Sequence, residues 1–272
     1  MSPGEVVAIA VAGLAAGAIN TVVGSGTLVT FPVLLAFGYS PVTANVSNTL
    51  GLVPGSASGA FGFRRELAGQ GRRALILGSM SLFGGITGAV LLLLLPASVF
   101  KAVVPAFIAV ALLLTALQPR LTARLAKSDP SGMREDPSGM PEDPPGMPED
   151  PPDMRGGGLI TPFAVYITGV YGGYFGAAQG ILLLAILGIA LPQSLQRSNA
   201  LKNVLAGLVN GVAAVYFVIA AHIAWAPAGI IAASSIVGAQ LGARYGRRLE
   251  PSALRALIIL VGIAAIVRLL TE

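Results

Sequence analysis

The chain has 272 residues, 54% of them hydrophobic and only 11% charged, with a formal net charge of +5 and no cysteine. A soluble domain carries about 25% charged residues, so an ordinary soluble enzyme is excluded, as are disulfides, thiolate catalysis and Cys-type metal sites. The pI near 9.9 comes from short Arg and Lys clusters between apolar runs. Without interleaved aromatics this is no nucleic-acid patch; it is the pattern of membrane loops.

In chain order the apolar runs cover residues 6–37, 43–63, 74–95, 99–117, 159–191, 199–221, 223–243 and 254–270. Crossing the hydrocarbon of a bilayer takes about 20 apolar residues per helix, so the expected class is an all-α, polytopic transmembrane protein. Residues 1–5 carry no Lys or Arg, so the first run reads as a retained membrane segment rather than a cleaved signal. Two runs are too long for one plain helix and are interrupted by Gly and polar residues. The first contains Asn20-Thr21-Val22-Val23-Gly24-Ser25-Gly26-Thr27. The other contains Tyr171-Gly172-Gly173-Tyr174-Phe175-Gly176-Ala177-Ala178-Gln179-Gly180. Glycine permits tight turns and close helix approach, so each run is expected to bend into a hairpin of two short helical arms.

Residues 119–158 are different in kind. Acidic, Pro-rich units beginning at Asp129, Asp136, Asp143 and Asp150 recur there. Proline in every unit rules out a coiled coil, and the lack of bulky apolar residues predicts a disordered linker. Its spacing does not place ligands as a calcium-binding helix–loop–helix does. The chain therefore divides into a first transmembrane repeat, 1–118, the linker, and a second transmembrane repeat, 159–272.

The two repeats correspond in order. At one constant spacing Pro41 pairs with Pro192, Ser47-Asn48 with Ser198-Asn199, and Leu50 with Leu201. At a slightly larger spacing Gly84 and Gly88 pair with Gly238 and Gly242, and Ser98, Lys101 and Ala102 with Ser252, Arg255 and Ala256. The basic loops do not correspond. Arg64, Arg65, Arg72 and Arg73 follow the second apolar run of the first half, whereas Arg244, Arg247 and Arg248 come one connection later in the second. Under the positive-inside bias this predicts inverted repeats, each a Gly-broken hairpin plus three spanning helices. The linker, flanked by Arg120, Arg124 and Lys127, would be cytoplasmic and both termini outside. Four parallel spans per half is the alternative.

Polar residues at membrane depth need a reason, because an unpaired amide or hydroxyl there costs a few kcal/mol. The first half offers Asn20, Gly24, Ser25, Gly26, Thr27, Ser47, Asn48 and Thr49; the second offers Gly176, Gln179, Gly180, Ser198, Asn199, Lys202 and Asn203. Broken helices free backbone N–H groups, and these with neutral Ser, Thr and Asn donors suit a small anionic substrate. Each residue alone equally suits close helix packing; the matched cluster reads as a binding site. Lys202 could attract the anion or snorkel to the interface beside Arg197. His222, next to Trp225, reads as an interfacial anchor. Every Asp and Glu falls in a loop, the linker or a terminus, which disfavours a carboxylate-based proton or sodium site. No P-loop and no paired-histidine metal motif occurs, so no enzyme, cofactor or metal is expected. Oligomerisation stays open.

Gly24-Ser-Gly-Thr-Leu-Val-Thr-Phe-Pro-Val-Leu-Leu-Ala-Phe-Gly38, Pro41 and Ala44-Asn-Val-Ser-Asn-Thr-Leu50 resemble the first-half motif of the sulfite exporter TauE/SafE family. Gly173 through Gly180, Leu187-Gly188, Ser198-Asn-Ala-Leu-Lys-Asn203 and Gly238-Ala-Gln-Leu-Gly-Ala-Arg244 resemble its later copy. The resemblance covers nearly all of the chain outside the linker. It implies a bacterial inner-membrane permease for small sulfur-containing anions such as sulfite or organosulfonates. The residues themselves leave open an uncoupled anion channel or a non-transporting accessory subunit.

Overall fold

The computed structural model describes residues 1–127, 159–191, 193–245, 256, 258–264 and 266–267. Among them the regular structure is all helix: α1 Pro3–Val22, α2 Thr27–Ala36, α3 Pro41–Gly62, α4 Gly71–Leu94, α5 Ala97–Lys127, α6 Ile160–Tyr174, α7 Gln179–Ala190, α8 Leu195–Ala220 and α9 Trp225–Tyr245. The acidic repeats, Pro192, Arg247, Arg248, Ser252 and Arg255 lie outside the described residues.

Local chemistry starts the helices where the sequence changes character. Ser2 and Glu5 form a capping box around Pro3, with the Glu5 N–H donating to Ser2 Oγ at 3.3 Å and the Ser2 N–H to Glu5 Oε2 at 2.8 Å. Ser40 caps α3 just before Pro41, and Ser194 caps α8. Each such cap contributes about 1 kcal/mol to its helix.

Among the described residues five helices are long and apolar enough to cross a membrane: Pro3–Val22, Gly71–Leu94, Ala97–Arg120, Leu195–Ala220 and Trp225–Tyr245. Outward-facing side chains such as Leu75 at 74% exposure and Ile219 at 80% would be unfavourable in water and belong against lipid tails. Of the two Gly-broken runs, only the second folds into two short arms. In the first half a helix of 20 residues is followed by one of 10; at about 1.5 Å rise per residue only α1 has the length of a membrane crossing. The second half has arms of 15 and 12 residues. α5 also continues past Pro119 to Lys127, carrying helix into the first residues of the expected linker.

The halves pack by exchange. α1 lies mainly on α9 of the other half, and α6 lies on α4. The paired glycines make both contacts: Gly238 faces Leu14 and Gly242 faces Ala18, while Gly84 faces Tyr166 and Gly88 faces Val170 and Tyr174. Bare glycine surfaces let backbones approach where a Cβ would collide. In each contact the residue numbers rise together, so α1 runs parallel to α9 and α4 parallel to α6. The equivalent helices α3 and α8 run oppositely. Ser47, early in α3, accepts a 2.9 Å bond from the Ala224 N–H just beyond α8, whereas Ser56, further along α3, meets Gly207 and Asn210.

Candidate functional site

The two breaks meet. Gly24 and Gly176 adopt positive φ values of 87° and 76°, a left-handed backbone that glycine reaches without the Cβ penalty. The Gly180 N–H donates to the Gly24 carbonyl at 3.1 Å. A Cβ on Gly180 would sit 2.5 Å from Gly24 Cα, so the contact is one of bare backbone.

Each helix that ends at a break is completed by side chains from the other half. The Thr21 carbonyl, in the last turn of α1, accepts from Asn199 Nδ2, Lys202 Nζ and Asn203 Nδ2, all at 3.3 Å. Lys202 Nζ also donates to the Asn20 carbonyl at 3.2 Å. Positions 199, 202 and 203 lie one turn apart on a single face of α8, which is why all three reach one point. Reciprocally, Asn45 of α3 donates through Nδ2 to the Tyr174 carbonyl at the end of α6, at 3.0 Å. Cations and amide donors are favoured at helix C-termini, where carbonyls lack intrahelical partners.

On the other side of the first break α2 begins, and its amino end is unfilled. Among the described residues the N–H groups of Ser25, Gly26 and Thr27 have no protein acceptor. Ser25 Oγ is unpartnered although the residue is only 1% exposed. Asn48 packs over the same turn, accepting at Oδ1 from the Thr30 hydroxyl and donating through Nδ2 to Thr27 Oγ1 at 3.4 Å. Gln179 Nε2 and Asn199 Oδ1 are also buried without partners.

The second break has a different wall. Phe31, Phe100, Phe107, Tyr171, Tyr174 and Phe175 form a continuous aromatic cluster, with Phe31 and Phe175 edge to face at 5.2 Å. The Tyr171 hydroxyl donates to the Ala177 carbonyl at 2.6 Å, and the Gln179 side chain covers Gly172. Buried donors without a protein acceptor therefore lie at both breaks, the N–H groups of Ala177 and Ala178 and Gln179 Nε2 at the second, where aromatic surface adjoins them.

Of the residues expected at a site, Asn20, Gly24, Ser25, Gly26, Thr27, Asn48, Gly180, Asn199, Lys202 and Asn203 gather around the first break, and Gly176 and Gln179 flank the second. Ser47 and Ser198 do not join them. Ser47 holds the entry to α9, and Ser198 Oγ accepts from Gln193 Nε2 at 3.3 Å. Thr49 is buried on α3. His222 and Trp225 are exposed at the α8–α9 connection. Thr30 and Asn45 were not singled out from sequence. The spacings Thr27/Thr30 and Asn45/Asn48, one helical turn each, are the signal that would have found them.

A helical bundle with several apolar spans and two touching breaks, at which buried polar groups gather, is a multi-pass membrane protein of the transporter class. Its sequence matches the model of the family described as sulfite exporter TauE/SafE over residues 9–269, and the chain belongs to that family. It is similar to the Probable membrane transporter protein ORF9 of Sinorhizobium sp, 25% identical, the match covering 96% of this chain and 91% of that protein. The Probable membrane transporter protein YfcA of Escherichia coli K12 is 24% identical over 94% of this chain and 86% of its own. A Probable membrane transporter protein of Haemophilus influenzae is 23% identical over 92% and 88%. No solved structure matches the chain.

Proposed function

We propose that the chain is a secondary transporter of a small sulfur-containing anion, sulfite or an organosulfonate, working in a bacterial inner membrane as a pair of inverted repeats. The observation that carries the anion reading is the amino end of α2. A helix start with free N–H groups and a buried, unpartnered Ser25 hydroxyl presents donors to a compact anion in a medium that cannot otherwise solvate them. Asn48 and Thr27 flank it, and Lys202 supplies positive charge from α8. The sulfur chemistry is supported by the family to which the chain belongs.

Inversion is supported by the opposite courses of α3 and α8 and by the reciprocal packing of α1 on α9 and α6 on α4. Paired broken helices meeting between repeats are an arrangement that many secondary transporters use. Purified protein in liposomes should take up labelled sulfite or methanesulfonate, and uptake should fall at least about tenfold when Asn48 or Asn199 becomes Leu. Wild-type flux no greater than that of empty liposomes, across a panel of sulfur anions, would sink the proposal. Flux that ignores imposed pH and sodium gradients would instead mark an uncoupled pore.

A further inference from the structure

The two breaks are equivalent in backbone but not in charge. Each brings together one helix C-terminus and one helix N-terminus, whose partial charges oppose each other. The helix ends therefore cancel to first order, and what remains is side-chain charge. Among the described residues Lys202, at 1% exposure, is the only buried Lys, Arg, His, Asp or Glu. Its hydrogen-bond partners are the carbonyls of Asn20 and Thr21, and no carboxylate contacts it.

An ammonium has three donors, and two protein acceptors leave one unfilled. The spacing that pairs Ser47-Asn48 with Ser198-Asn199 pairs Lys202 with Gly51. Gly51 is closed against Ile231, whose side chain would lie 2.7 Å from any added Cβ, so the first half has no room for a matching cation. When protonated, Lys202 gives the site one positive charge that no carboxylate offsets. A buried charge without a partner is costly, and so is the opposite excess.

We propose that Lys202 sets the charge of the cargo, so that the site at the first break takes one monoanion and rejects dianions of similar size. A sulfonate or hydrogensulfite makes the loaded site neutral; sulfate or fully deprotonated sulfite leaves one buried negative charge. Lys202 serves at the same time as a positioning residue, because its other two donors hold the end of α1 from which the break departs. This rests on the anion-transport reading above, and the test separates the two.

Wild-type protein in detergent is titrated with methanesulfonate, a monoanion, and with sulfate, a dianion of similar oxygen geometry, with binding followed by calorimetry. Methanesulfonate should bind at least about tenfold more tightly than sulfate. Lys202→Gln, which keeps an amide donor for the Thr21 carbonyl, should lose that preference, and Lys202→Arg should retain it. Equal affinity of the wild type for both anions overturns the inference while leaving anion transport standing. So does an unchanged preference in a folded Lys202→Gln protein. Binding of neither anion overturns the parent reading and this one with it. Should neither variant fold, the wild-type ratio alone decides.

Discussion

Ser25 lies in the first break and Asn48 packs over it from α3, but the two are joined to it differently. Asn48 is tied to Thr27 and Thr30, whereas Ser25 Oγ makes no protein bond. Asn48→Leu should therefore destabilise the protein by about 1–3 kcal/mol, the cost of stranding buried partners, and lower its melting temperature in detergent. Ser25→Ala removes a hydroxyl that nothing in the protein uses. It should leave the melting temperature within about 1 °C of wild type, since no bond is lost, while reducing sulfonate uptake several-fold. A clear drop in stability for Ser25→Ala would mean that the hydroxyl is structural. Part of this was legible beforehand. Positions 199, 202 and 203 share a helix face by their spacing alone, and their convergence follows. Ser47 and Asn48 look equivalent as neighbours in sequence, yet consecutive helical residues point about 100° apart. One turns to Ala224 and the other to the break. Their targets are backbone atoms or residues remote in sequence, and no side-chain pattern announces a carbonyl.

At the scale of the elements, the glycine clusters announced both breaks, while the arm lengths did not follow from them. From Val6 to Ile19 α1 carries no polar side chain, and the polar stretch that begins at Asn20 does not mark where within it the helix ends. The contact of the breaks depends on what is absent at Gly24 and Gly180. Gly180→Ala would push a methyl into Gly24 Cα at 2.5 Å, backbone that cannot swing aside, and should cost about 1–3 kcal/mol or more through overpacking. Gly38 is the control, with φ of 83° and open space around its Cβ direction. Gly38→Ala should cost about 1–2 kcal/mol, from backbone strain alone, and leave uptake intact. Melting and uptake measured side by side would separate crowding from strain. Equal effects on uptake would show that the Gly24–Gly180 contact has no special place in transport.

For the whole molecule, ordered residue matches predict a repeat, and in the structure the matched Gly84, Gly88, Gly238 and Gly242 form the α4–α6 and α1–α9 contacts. The basic loops led to inversion, which is testable because the chain has no cysteine. Single cysteines at Ala68, in the α3–α4 loop, and at His222, in the α8–α9 loop, occupy exposed and equivalent places in the two halves. In an inverted pair a membrane-impermeant maleimide should label them from opposite faces of the membrane. Labelling of both from one face would restore the parallel arrangement. On the Ala68 side the loops are latched by polar contacts: Gln70 Nε2 to the Arg197 carbonyl at 3.3 Å, Arg197 Nη2 to the Ala68 carbonyl at 3.0 Å, and Arg73 Nη1 to Gln193 Oε1 at 3.4 Å.

The reciprocal capping of α1 and α6 has a further consequence for how the protein is made. A ribosome delivers α1 long before α8, so the Thr21 carbonyl enters the bilayer with none of its three eventual donors yet synthesised. The Asn45 amide likewise waits for α6. Neither half can complete these bonds alone, and the Thr21 and Asn45 contacts close only once the second half has inserted. Two separate genes, cut within the linker, should yield protease-sensitive fragments when expressed singly and a resistant complex when expressed together.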